Sequence, residues 1–100
     1  LFFGTVRKFE FAMERAGADV KAIIFRMRNT LYLDAGGIRA LTQAKAACDR
    51  KGIQIILSGI HTQPYMLCEK TGMADKIGRE NIFDNIEAAL NRAKEVTDKK

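Results

Sequence analysis

The chain has 100 residues, 47% of them apolar, with 17 Lys and Arg against 12 Asp and Glu and a formal charge of +5. That length and composition fit one small globular domain, residues 1–100, and exclude a disordered chain. The longest apolar runs are strand-sized, far below the roughly 20 residues a bilayer-spanning helix needs, and there is no basic run, aromatic-interleaved basic strand or zinc module to suggest nucleic acid.

The chain opens on Leu1-Phe2-Phe3-Gly4, with neither an initiator Met nor a signal-peptide pattern. It reads as starting inside an element, with the native N-terminus absent. Leu1 to Phe3 reads as the tail of a strand, and Val6, Phe9, Met13 and Ala16 recur at helical spacing within Thr5 to Ala16, ended by Gly17. Ala22 to Phe25 is a continuous apolar run of the kind covered on both faces in a parallel sheet, and Ile53 to Leu57 is a second. Between them Gly37, Ala40, Leu41, Ala44 and Cys48 share one helix face, and Gly52 closes the helix. Strand, helix, strand at this spacing is a right-handed βαβ unit.

Thr62 to Lys70 reads as a short helix with Pro64 in its first turn and Gly72 past its end. Asn81 to Phe83 reads as a very short edge strand. Asp84 then starts a last helix, with Glu87 as capping-box partner, Ile86, Ala89, Leu90 and Ala93 as the buried stripe, and fraying from Thr97. Alternation of strand and helix throughout implies one α/β layer structure.

The stretch richest in chemical signals is Leu31 to Ile38, which ends an extended segment and opens a helix. Asp34 can accept from the first free amides of that helix, and Gly36 and Gly37 permit a tight turn. A capped helix start is the favoured reading; an anion at the Gly36 turn is the alternative, opposed by the charge of Asp34. His61 is the only histidine and has no second His or catalytic Ser motif beside it. Asp34 and Asp75, if they met, would be a carboxylate pair without metal-ligand companions. Neither makes a case for catalysis, so no catalytic residue, metal or cofactor is expected. Cys48 and Cys68 are expected to be reduced, buried thiols, and Tyr65, Met66 and Met73 to be core.

The run Asp34-Ala35-Gly36-Gly37-Ile38 resembles the Asp-Ser-Ser-Gly-Leu type motif of STAS domains, shared by anti-sigma factor antagonists and by the C-terminal tails of sulphate permease family transporters. Leu1-Phe2-Phe3-Gly4, Ile24-Phe25-Arg26-Met27, Leu57-Ser58-Gly59 and Glu80-Asn81-Ile82-Phe83 are similar to transporter STAS segments in the same order. The resemblance implies an α/β STAS-type sheet of about four mostly parallel strands with helices packed on it, its first strand missing before Leu1. In the antagonists the second Ser of the motif is a phosphoacceptor, and here Gly36 stands in its place without a hydroxyl, so no phosphorylation is expected there. Arg26, where antagonists tend to be acidic, and the Phe-Phe-Gly entry also favour the transporter branch.

The function so implied is that of a cytoplasmic regulatory domain of a sulphate, bicarbonate or dicarboxylate type transporter, on the inner face of the membrane. Its expected partners are the transporter membrane domain in cis, an acidic cytosolic protein or a second copy. Partner or anion contacts are assigned to Asp34, Ala35, Gly36, Gly37, Ile38, Arg39 and Arg50, with Lys45 and Lys51 adding basic charge. The alternatives are a free-standing antagonist that binds an anti-sigma factor, and a weak nucleotide or anion-binding module.

Overall fold

Three short strands make one parallel sheet in the computed structural model, which describes residues 19–99. The expected strand Leu1 to Phe3 and helix Thr5 to Ala16 lie outside the described residues. β1 (Ala22–Arg26) pairs with β2 (Gln54–Ser58) from Ala22 opposite Gln54 to Arg26 opposite Ser58. β2 pairs in turn with β3 (Ile82–Phe83), placing Leu57 opposite Ile82 and Ser58 opposite Phe83. Parallel neighbours need a crossover, and α1 (Ala35–Lys51) supplies the first. α2 (Thr62–Thr71), α3 (Met73–Ile77) and a 3-10 turn (Arg79–Asn81) make the second, and α4 (Ile86–Lys99) closes the chain.

Because side chains alternate along a strand, Ile55 and Leu57 of β2 point to one face and Ile56 to the other. The first face meets Leu41, Ala44 and Cys48 of α1, Cys68 of α2, and Met73, Ala74 and Ile77 of α3, with Ile23 and Phe25 packed against the same cluster. α4 packs on β1 and β2, with Ala89 fully buried. The central strand is buried from Ile55 to Ser58. β1 is half-buried from Ala22 to Phe25, with Ile23 and Phe25 against the core cluster and α4 packed on the strand, and within the described sheet it has a neighbour on one side only.

The helix limits follow from caps. Asp34 Oδ1 accepts from the Gly37 amide at 2.9 Å. At the other end Gly52 takes a left-handed conformation, φ 69, and the Ile53 amide reaches back to the Cys48 carbonyl at 2.9 Å, the paired closure that glycine permits there. Gly72, φ 84, ends α2 in the same region of backbone space.

Three expectations are corrected. The last helix starts at Ile86, not Asp84: the strand pairing runs on, with the Gly59 amide donating to the Phe83 carbonyl at 2.9 Å. Asn85 then becomes the cap, its Oδ1 accepting from the Ala88 amide at 2.8 Å, so Glu87 is not the capping partner. Leu90 is 55% exposed and Met66 62% exposed, against the buried places assigned to them. In α4 the inward face runs through Ile86, Ala89 and Ala93 toward Arg92, whose Nε donates to Asn81 Oδ1 at 2.8 Å, and this turns Leu90 outward. Finally, Asn81 is not a strand residue but a buried hinge of the 3-10 turn, its Nδ2 donating to the Ile77 carbonyl at 2.7 Å.

Candidate functional site

The segments that leave the carboxyl ends of β1 and β2 lie side by side. After Arg26 the chain keeps one further bond to β2, from the Met27 amide to the Ser58 carbonyl at 2.7 Å, then turns, with the Thr30 amide donating to the Met27 carbonyl at 3.0 Å. Met27, Thr30 and Leu33 are buried and act as three anchors. The residues between them are held out: Leu31 is 70% and Tyr32 72% exposed.

The loop is also clamped from α2. The Gln63 side-chain amide accepts from the Leu33 N–H at 2.7 Å and donates to the Leu33 carbonyl at 3.0 Å, so it bonds that residue as a neighbouring strand would. One residue outside α2, His61 Nε2 lies 2.6 Å from the Arg28 carbonyl. Gly59, φ 69, passes so close to Arg28 that a Cβ there would lie 3.4 Å from its backbone. Gln63 and His61 were not read as loop clamps from the sequence; a Gln directly before a first-turn Pro gives no sign of a partner thirty residues away.

Asp34 through Arg39 follow from this clamped loop into the first turn of α1. Gly37 is buried, and a Cβ on it would come within 2.5 Å of Leu33 Cδ1, so a larger residue there would have to displace the buried Leu33 side chain. Gly36 is different: a Cβ there would meet only Asp34 Oδ1 at 3.4 Å, an ordinary contact. Asp34, Ala35, Gly36 and Arg39 are exposed, with Ile38 half-buried. The structure therefore gathers these six positions at one edge. Arg50 is not among them, for it lies in the last turn of α1, about 24 Å along the axis from Asp34 at 1.5 Å per residue. Lys45 is engaged with Asp49 at 2.5 Å.

Asp34→Ala removes the cap and is expected to cost about 1 kcal/mol, in the range of roughly 0.5 to 2 for such losses. Urea unfolding of the variant measures it. Unchanged stability would mean that Asp34 is a contact residue rather than a cap.

Asp75 pairs with Arg79, not with Asp34. Arg79 also forms a two-pronged pair with Glu69, Nε to Oε2 at 2.8 Å and Nη2 to Oε1 at 2.7 Å. These bonds and one from Tyr65 hold the Glu69 carboxyl down at about 2. Its folded value lies below the ordinary 4.5, so the network's contribution is present above that pH and is lost as pH falls toward 2. Thermal unfolding at stepwise lower pH is expected to show this loss, and Arg79→Met is expected to flatten it.

Cys48 and Cys68 are free and buried, and burial pushes both thiols up to about 11, which leaves them protonated and unreactive at neutral pH. Among the described residues, no three His, Cys, Asp or Glu side chains stand together as a metal would require, and no helix is long and apolar enough to cross a membrane. A groove of about 490 Å³ lies beyond the ends of β2 and β3, between Ile60, His61, Tyr65 and Phe83, with Asp84 at its rim.

Comparison with known proteins agrees with this architecture. The family model described as "STAS domain" matches residues 1–89. The chain is 29% identical over 86 residues to YvdB of Bacillus subtilis (strain 168), assigned as a sulfate transporter; the match takes in 85% of this chain and 16% of that protein. The crystal structure of a sulfate transporter family protein from Wolinella succinogenes superimposes with a TM-score of 0.82 at 29% identity, over 96% of this chain and 79% of that one. The STAS domain of a SulP transporter from Vibrio cholerae gives 0.87 at 22% identity, over 98% and 77%.

Proposed function

The chain belongs to the STAS domain family, and from that membership we propose that it is the regulatory docking domain of an anion transporter of the sulfate transporter family, held on the cytoplasmic side of the membrane and not catalytic. The observation that carries this reading is the relation to YvdB, in which the matched 86 residues make up only 16% of the whole: in that relative the domain is one part of a much larger transporter. The likeness to the Wolinella succinogenes protein supports the same assignment.

The docking surface in this reading is the edge formed by Leu31, Tyr32, Asp34, Gly36 and Arg39. It has the properties such a surface needs. The backbone is fixed by Gln63, the Asp34 cap and three buried anchors, so little conformational entropy is lost when a partner binds. Two large apolar side chains stand in solvent, and an aromatic one is the type that anchors interfaces. The partner is the transporter membrane domain in cis.

Gly36 weighs against the regulated antagonist alternative. The site has room for a side chain, yet glycine carries no hydroxyl for a kinase to modify. The surface is therefore read as permanently available rather than switched by phosphate.

A photo-crosslinking residue in place of Tyr32, introduced in the full-length protein in its native membrane, tests the surface. A bond to a membrane-spanning segment of the same protein is expected. Absence of any crosslink from position 32, with crosslinks from a control position on α4, would refute this docking edge.

A further inference from the structure

Arg79 and Arg92 make ion pairs, whereas Arg26, Arg28, Arg39 and Arg50 make none among the described residues. Two of these unpaired arginines stand at one place. Arg26 ends β1, Arg28 follows two residues later, and together with Asn29 they line a hollow of about 390 Å³. The intervening Met27 is 1% exposed and Thr30 is 5% exposed, so the turn is pinned at both anchors and its three polar side chains are directed outward around the same space.

The backbone beneath that space is fixed at several points. Met27 is bonded to Ser58, the Arg28 carbonyl meets His61, and Gly59 lies directly under the Arg28 stem, where a Cβ would be 3.2 Å from Arg28 Cβ. Two guanidinium groups that share a hollow repel one another, no carboxylate lines it among the described residues, and an anion between them removes that cost. Each guanidinium offers a planar fork of N–H donors that fits two oxygens of a carboxylate or phosphate. One fork suffices for a planar carboxylate. Two forks with an Asn amide beside them suit the several oxygens of a tetrahedral group, and their position beyond a strand's carboxyl end is where open α/β sheets take ligands.

We propose that Arg26, Arg28 and Asn29 form an oxyanion site for a phosphate group, carried either by a small solute or by a lipid headgroup. It is separate from the start of α1, where the Asp34 carboxylate faces the first turn, and it does not depend on the docking reading.

The test titrates the 100-residue chain with inorganic phosphate by calorimetry, and in parallel with phosphatidylcholine vesicles with and without phosphatidylglycerol. Arg26→Gln and Arg28→Gln are each expected to weaken binding about tenfold or more, the scale of losing charge-assisted hydrogen bonds. Arg26→Lys and Arg28→Lys keep the charge and stem but lose the fork, and are expected to fall between. Lys76→Gln, an exposed cation on α3, is expected to match the parent chain. Circular dichroism confirms that each variant is folded, and should a Gln variant unfold, the Lys variants carry the comparison.

Binding of phosphate alone identifies a solute site, and binding only of phosphatidylglycerol vesicles identifies a headgroup site. Binding of neither probe overturns the proposal. So does a loss in Lys76→Gln as large as in the two arginine variants, since the attraction would then be diffuse.

Discussion

Leu41→Ala is expected to destabilise the domain by about 2 to 5 kcal/mol, the range for removing a buried leucine and leaving a cavity. Leu41 is 0% exposed, and it sits with Cys48 on the α1 face that packs against Ile55 and Leu57. Small domains hold only about 5 to 15 kcal/mol in total, so the substitution removes a large part of the margin. The consequence reaches the docking edge because the first turn of α1, from Ala35, carries it. Urea titration is the measurement, with a lowered midpoint and an unchanged slope expected. A cost below about 1 kcal/mol, outside that range, would mean that α1 does not rest on the sheet as described.

Gln63→Ala is the second large expected effect. It takes away both partners of the Leu33 backbone, the 2.7 Å bond from its N–H and the 3.0 Å bond to its carbonyl. Leaving part-buried backbone groups unpaired costs about 1 to 3 kcal/mol. The local outcome is more diagnostic than the global one. Hydrogen exchange at the Leu33 amide is expected to become fast at a denaturant concentration where the β2 amides remain protected, because the loop opens without the sheet unfolding. Gln63→Glu keeps the acceptor for the Leu33 N–H but turns a carboxylate oxygen toward its carbonyl, so it is expected to release the loop as well. If both variants left Leu33 protected, the buried anchors alone would hold the loop.

Much of this architecture was legible from local chemistry. Asp34 and Gly52 bracket α1 because a carboxylate cap and a left-handed glycine act within a few residues of themselves. The apolar run through Leu57 announces a buried strand for the same reason: its pattern is contained in five residues. The family motif marked Asp34 to Ile38 and basic charge added Arg39 and Arg50; the structure sets Arg39 beside the motif in the first turns of α1 and Arg50 at the far end of the helix.

The features that could not be read depend on distant neighbours. Gln63 matters only because Leu33 lies beside it in space, and Asn81 is buried only because Ile77 and Arg92 converge on it. α3 is five residues long, too short for a helical period to stand out, and it is held by Met73, Ala74 and Ile77 reaching the common core. Leu90 followed a valid helical spacing, yet the bond between Arg92 and Asn81 fixes which side of α4 faces the sheet.

The central claim, a docking domain carried by an anion transporter, is tested most directly by fractionating the native cells and probing with an antibody raised against this 11.2 kDa chain. The account predicts a single band in the membrane fraction, at several times that mass, which stays with the membrane after a high-salt wash. A salt-extractable or soluble band close to the mass of the domain itself would contradict it and favour a free-standing binding protein.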